Sequence, residues 1–180
     1  MESSVPVAPE VIQKIKTGLP IGNTPEDAEK RNELWKKLDA NGNGQLTLIE
    51  LGKGLRESAG LPELAEAKIA LSIAFDGARQ KAGGNKADNA VVTQDEFHAL
   101  LFFLNQYFEY WVAFNRVDSN PNHQISLAEF TAAIPKFSGW GIKVENAEDA
   151  FKKVDSNHSG SITFGEFVRW ASLNTLHLAP

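Results

Sequence analysis

The chain contains no cysteine. Disulfides, thiolate zinc sites and S-palmitoylation are therefore excluded, and a reducing, cytoplasmic setting is compatible with that composition. Methionine is nearly absent too, with Met1 the single example. Promiscuous helix-binding grooves lean on flexible Met side chains, so any target surface here must be aromatic and aliphatic. An excess of basic charge is also missing: 18 Lys and Arg face 23 Asp and Glu, a formal net charge of -5. That balance disfavours nucleic acid or an anionic membrane as the default partner. No uninterrupted apolar run reaches the roughly 18 residues of a membrane-spanning helix. The most apolar stretch, 97–117, is flanked or broken by Glu96, His98, Asn105, Gln106, Glu109, Asn115 and Arg116. It predicts a buried helix pair instead. The opening MESSVPVAPE has neither the positive start nor the apolar core of a secretory signal. Glu2 stands where N-myristoylation needs glycine, so neither a signal nor an acyl anchor is expected. Catalytic signatures are absent as well: there is no HExxH, no GxSxG and no P-loop. His98, His123, His158 and His177 fall at no zinc spacing, and the expectation is a protein that is not an enzyme.

What remains is ordinary for a folded protein. The 180 residues are 42% apolar and 23% charged, enough for one domain or two small lobes with an apolar core. Pro6, Pro9, Gly18 and Pro20 mark residues 1–23 as an arm with at most one short helix. Thr24 then precedes Pro25, with Asp27 three residues on, which is the signature of a helix start. This helix runs to Leu38 and places Leu34, Trp35 and Leu38 on one face. Further helices are expected from Leu48 to Ala59, from Pro62 through Phe75, over 93–117 with a bend near Asn105, from Ser126 to Ile134, from Glu145 to Val154, and from Phe164 to Leu173. The glycine-rich KAGGNKADN reads as a surface loop, and SGWG after Pro135 as a linker. The pattern is all-α: four helix–loop–helix units in two paired lobes, 24–105 and 106–180.

The loops between those helices carry the chemistry. A hard dication such as calcium takes six to eight oxygen ligands. A twelve-residue loop supplies them from positions one, three, five, seven, nine and twelve. The seventh gives a backbone carbonyl, the ninth works through water, and the twelfth gives both oxygens of a glutamate, while the sixth needs a left-handed backbone. DANGNGQLTLIE meets every requirement: Asp39, Asn41, Asn43, Gln45, Thr47 and Glu50 are the candidate ligands, and Gly44 makes the turn. DSNHSGSITFGE does the same with Asp155, Asn157, Ser159, Ser161, Thr163 and Glu166 around Gly160. In DSNPNHQISLAE the oxygens are intact as Asp118, Asn120, Asn122, Gln124, Ser126 and Glu129, but His123 replaces the glycine. Histidine tolerates positive φ at some cost, so this loop is expected to bind more weakly than the others.

A shared apolar frame separates these loops from ordinary solvent turns. Leu38, Val117 and Val154 precede the first ligand. Leu46, Ile125 and Ile162 occupy the eighth position, where paired loops make a short two-residue β contact. Leu51, Phe130 and Phe167 follow the closing glutamate. The second unit keeps Val92, Glu96 and Phe97 in those roles, but Asn85, Ala87 and Asn89 fall at its first ligand places and Ala90 at its glycine. Asp76 begins a longer alternative loop, at the cost of the register. The expectation is a metal-free partner for the first loop. Each intact loop brings only two carboxylates, which places the sites in the sensor range of about 10⁻⁷–10⁻⁵ M. Resting occupancy by magnesium is compatible with the same ligands.

These loops resemble those of EF-hand proteins, and the rest of the chain is similar to one family of them, the calflagins, the flagellar calcium-binding proteins of kinetoplastids. The resemblance extends from Lys14 to Ser172. It is carried by LWKKLDANGNGQL, by AFDGAR, by FFLNQYFEYWVAFNRVDSN and above all by WGIKVENAEDAFKKVDSNHSGSITFGEFVRWAS. It implies a compact all-α fold and a flagellar calcium sensor whose loaded state changes its interaction with a protein target or a membrane surface. The family's N-terminal Gly and Cys acylation sites have no counterpart beside Met1, Glu2 and Ser3, so membrane targeting by an acyl switch is not expected. The layout also resembles the sarcoplasmic calcium-binding proteins, which are cytosolic buffers. More remotely it resembles the coelenterazine photoproteins, which share a degenerate second unit and a C-terminal proline, here Pro180.

Overall fold

Helix starts in this chain are written in its caps. In the computed structural model, which describes residues 7–81 and 90–178, the Thr24 hydroxyl accepts the Asp27 N–H at 3.1 Å. Pro25 fills the first helical position of α2 (Pro25–Leu38), where its missing N–H is no loss. Before it lies α1 (Pro9–Gly18), whose Ile12 and Ile15 are buried. Lys14 in α1 donates to the Gly60 carbonyl at 2.9 Å, so these turns are packed rather than a free arm.

The first pair follows as β1 (Gln45–Thr47), α3 (Leu48–Glu57), α4 (Pro62–Glu66), α5 (Lys68–Lys81), β2 (Val91–Thr93) and the start of α6 (Gln94–Val117). Glycine is required at Gly54, because a Cβ there would lie 2.6 Å from the Leu38 side chain and 3.2 Å from its Cα. The close approach of α2 and α3 depends on that missing carbon. Trp35 meets Phe97 edge-on at 5.1 Å between centroids, so the helix entering the first loop is packed on the helix leaving the second.

The second pair continues from α6 with β3 (Gln124–Ser126), α7 (Leu127–Ala132), α8 (Ile134–Gly139), α9 (Ala147–Val154), β4 (Ser161–Thr163) and α10 (Phe164–Leu173). Its core is aromatic. Trp170 lies 5.6 Å from Phe130, 5.0 Å from Phe137 and 5.6 Å from Phe167. Phe130 also meets Phe151 at 5.8 Å, and Phe114 meets both Phe164 and Phe167 at 5.5 Å. Two antiparallel ribbons tie the loops in pairs, β1 with β2 and β3 with β4. The chain divides into two compact units, Glu10–Phe108 and a second made of Met1–Pro9 with Glu109–Pro180, so that one division falls inside α6.

Three expectations are corrected. The stretch 93–117 is not a bent pair: α6 is a single helix of 24 residues. It contains neither Pro nor Gly, the usual causes of a sharp kink, and one Asn does not interrupt a helical ladder. Nor is it buried all round, for Phe102 is 49% exposed. The helix opened by Pro62 is two, because Ala67 leaves the helical region at ψ 56° between α4 and α5. Pro135 does not close a helix but sits in the first turn of α8, which absorbs part of the supposed SGWG linker. Among the described residues, no helix is long and apolar enough to cross a membrane. Met1, Glu2, Ser3, Asn85, Ala87, Asn89 and Pro180 lie outside the described residues.

Candidate metal centre

Each complete loop starts where a helix runs out. Asp39 and Asp155 are the C-terminal caps of α2 and α9, and Asp118 follows the last residue of α6. A carboxylate beside the negative end of a helix is disfavoured by the helix dipole, and all three are buried, between 3% and 8% exposed. What holds them there is a repeated pair of backbone donors. Asp39 accepts from the Asn43 and Gly44 N–H groups at 3.2 and 2.9 Å. Asp118 accepts from Asn122 and His123 at 3.4 and 2.8 Å. Asp155 accepts from Ser159 and Gly160 at 3.0 and 2.9 Å. Donors that favour the charged form offset the desolvation.

The third residue of each loop braces the fifth. Asn41, Asn120 and Asn157 accept the N–H groups of Asn43, Asn122 and Ser159 at 2.9, 3.2 and 2.9 Å. Asn43 and Asn122 in turn accept from Gln45 and Gln124, each at 2.8 Å. These Asx turns need no metal to form, so the polar side chains are gathered along one wall of the loop by its own backbone.

At the far end, the ninth and twelfth residues form a capping box in all three loops. The Thr47 N–H and hydroxyl donate to Glu50 Oε2 at 3.0 and 2.8 Å. Ser126 does the same for Glu129 at 2.9 and 2.8 Å, and Thr163 for Glu166 at 2.9 and 2.8 Å. The glutamate is therefore fixed in the first turn of the exit helix, with its second oxygen turned across the loop. Glu129 Oε1 accepts from the Ser119 N–H and hydroxyl, both at 3.0 Å. Glu166 Oε1 accepts from the Ser156 hydroxyl at 3.2 Å and the Asn157 N–H at 3.3 Å. In the first loop the second residue is Ala40, which has no hydroxyl, and the Asn41 amide donates to Glu50 Oε1 instead. Burial alone would raise the Glu129 and Glu166 carboxyls. The backbone and hydroxyl donors of Ser126 and Ser119, and of Thr163, Asn157 and Ser156, outweigh it and hold both below the ordinary value.

The eighth residues sit face to face in the ribbons, Leu46 opposite Val92 and Ile125 opposite Ile162, all with no exposed surface. The second unit keeps this half of the design. Its Thr93 N–H and hydroxyl donate to Glu96 Oε2 at 2.8 and 3.0 Å, as in the complete loops.

Left-handed backbone falls where it was expected, at Gly44, His123 and Gly160, with φ of 77°, 62° and 85°. A second left-handed position went unnoticed in the sequence. The fourth residue also has positive φ in two loops, Gly42 at 67° and His158 at 56°, and its N–H donates to the carbonyl of the first aspartate at 3.2 Å. The third loop has Pro121 there. Proline can neither take positive φ nor donate, so this loop lacks that closing bond as well as its glycine. The signal was legible as the one proline among three aligned loops. The second-position hydroxyls of Ser119 and Ser156 were missed too, although DSN occurs twice in register.

The donor set suits a hard, oxygen-seeking dication. Among the described residues no three His, Asp or Glu side chains gather at one point. Each loop offers two carboxylates and neutral oxygens, with no nitrogen or sulfur ligand that would select zinc or copper.

This architecture defines the EF-hand class of calcium-binding proteins. The model of the FCaBP EF-hand domain matches residues 15–104, and that of the EF hand matches 147–169. The flagellar calcium-binding protein of Trypanosoma cruzi is 35% identical over 163 residues, which is 89% of this chain and 77% of that protein. The flagellar calcium-binding protein TB-24 of Trypanosoma brucei brucei is 31% identical over 171 residues, covering 92% and 78%. Among solved structures, a homologue of programmed cell death 6 protein from Leishmania major Friedlin aligns with a TM-score of 0.40 at 20% identity, over 88% of this chain and 78% of that one. The chain belongs to the flagellar calcium-binding protein family and is a calcium-binding EF-hand protein.

Proposed function

We propose that the protein is a calcium sensor with three metal-binding loops and one metal-free brace. The ligands are Asp39, Asn41, Asn43, Gln45, Thr47 and Glu50 in the first loop and Asp118, Asn120, Asn122, Gln124, Ser126 and Glu129 in the third. In the fourth they are Asp155, Asn157, Ser159, Ser161, Thr163 and Glu166. One observation carries this reading. In each loop the first carboxylate stands at the end of the entering helix and the last is locked into the first turn of the exit helix. An ion that draws the two together pulls on both helices, and the residue after each glutamate (Leu51, Phe130 or Phe167) is a fully buried core side chain. Binding is thereby coupled to core packing, which is what a switch requires. The family's name supports a flagellar location, and a protein target or membrane surface is the proposed recipient of the signal.

The test is calcium titration, with and without millimolar magnesium, read by tryptophan fluorescence and by binding of an apolar dye. It is repeated with Glu50→Gln, Glu129→Gln and Glu166→Gln. A sensor gains dye binding on loading, and each variant loses one equivalent of binding. Dye binding that stays flat while three equivalents bind identifies a buffer and overturns the sensor reading.

A further inference from the structure

Residues 175–178 fold back on their own unit in a way that calcium binding alone does not require. After α10, Thr175 takes positive φ of 48°, and the Leu176 N–H returns to the Ala171 carbonyl at 3.0 Å. From there burial alternates. Leu176 has no exposed surface, His177 is exposed, and Leu178 is 4% exposed. That period of two is the burial pattern of an extended segment with one side packed and the other exposed. It is fastened by Glu109, a carboxylate in α6 only 5% exposed, which accepts the Leu178 N–H at 2.6 Å. The tail amide is one of the partners of this buried carboxylate, and Glu109 must exchange it for another if the tail leaves.

The two attachment points are not arbitrary. Glu109 precedes Asp118, the first residue of the third loop, by nine positions on the same helix. The tail continues directly from α10, whose third residue, Glu166, closes the fourth loop. These residues therefore tie the helix entering one loop to the helix leaving the other. Those are the helices that loading of the pair must re-aim.

We propose that residues 175–178 form a clasp that holds the C-terminal pair closed and covers a docking surface for an extended partner segment. The partner's chemistry is that of the tail it displaces: two aliphatic side chains two residues apart, with a backbone N–H offered to Glu109. This rests on the sensor reading. Because the clasp and the opened pair exclude each other, loosening one favours the other by the same factor.

Hydrogen exchange at the Leu178 amide of the unaltered full chain is the first measurement. Protection is expected without calcium and at least tenfold less with it. The paired substitution Leu176→Asn with Leu178→Asn should tighten binding at the loops of Asp118 and Asp155 by three- to tenfold and bring on dye binding at lower calcium. A peptide with the sequence of residues 174–180 should suppress that dye signal. Glu109→Gln keeps an oxygen acceptor for the Leu178 N–H and should preserve the protection seen without calcium. If the paired variant does not fold, as judged by circular dichroism, the exchange measurement decides alone. Protection that is the same with and without calcium overturns the clasp, as does unchanged affinity in a folded paired variant. A wild-type dye signal that never rises refutes the sensor reading instead, so the two failures are distinguishable.

Discussion

The sixth loop position offers a perturbation whose sign should reverse between neighbouring loops. Gly160 sits at φ 85°, and a Cβ built on it meets no atom within 4 Å. Gly160→Ala therefore introduces no clash, and its whole cost is conformational. Holding a residue with a Cβ in the left-handed region costs about 1–2 kcal/mol, or roughly 5- to 30-fold in an equilibrium constant. His123 occupies the equivalent place at φ 62° and already bears that cost. His123→Gly should recover part of it, less the roughly 0.5–1 kcal/mol that glycine loses in backbone entropy. Calorimetric titration should then show the fourth loop weakened by Gly160→Ala and the third loop tightened by His123→Gly. The cost must appear either in metal affinity or, if the loop keeps this shape without metal, in unfolding free energy. Urea denaturation of the metal-free protein measures the second. Gly160→Ala that leaves both within about 0.3 kcal/mol of the parent refutes the argument, and so does His123→Gly that weakens the third loop.

Pro121→Gly restores a donor and a left-handed residue at the fourth position, so it should tighten the third loop further when added to His123→Gly, as titration of the double variant will show. Leu46→Ala empties a fully buried site opposite Val92 and should destabilise the protein by about 2–5 kcal/mol in urea denaturation. Trp170 lies among Phe130, Phe137 and Phe167, whereas Trp35 packs on Phe97. Trp170→Phe should reduce the fluorescence response to filling of the third and fourth loops, leaving what Trp111 and Trp140 contribute, and Trp35→Phe should remove the response to the first. In the metal-free protein, Glu129 and Glu166 titrate lower in the folded chain than their ordinary value of 4.5. Their contribution to stability is thus fully present above about pH 4.5 and is lost as pH falls through the folded values. Glu129→Gln should flatten that acid limb in denaturation curves measured from pH 6 to 3.

The elements legible in the sequence were those with a local chemical signal. Thr24 and Pro25 marked the start of α2, and Phe164 and Leu173 bounded α10, because caps and loop ligands act over three or four residues. The misplaced boundaries were set by competition between local and distant effects. Pro135 is a helix breaker in general but an acceptable first-turn residue, and only the turn at Ala133 decided which role it took. The apolar stretch in α6 suggested two helices because one uniformly apolar rod has no solvent face. The single helix resolves this by leaving Phe102 exposed and by passing from one compact unit into the next.

The loops show the same division between what a pattern contains and what a backbone adds. Ligand residue types and their spacing are a property of the string, and all eighteen candidates sit in loops where the contacts of the first aspartate and of the closing glutamate with the ninth residue repeat across the three copies. The weaker binding proposed for the third loop rests on conformation. Its glycine replacement was visible, because position six is known to need positive φ. The second fault was not, because the need at position four appears only when Gly42 and His158 are seen to share a left-handed backbone and a bond to the preceding aspartate. Pro121 removes that bond. A loop without that closing bond and without its glycine must be ordered in part by the ion itself, so its affinity should fall below that of the other two even though every oxygen is present. Its partner across the β ribbon, Ile162 against Ile125, is then what brings the third loop into register. Filling of the fourth loop should therefore precede and assist filling of the third, and Glu166→Gln should weaken binding at Asp118 as well as at Asp155.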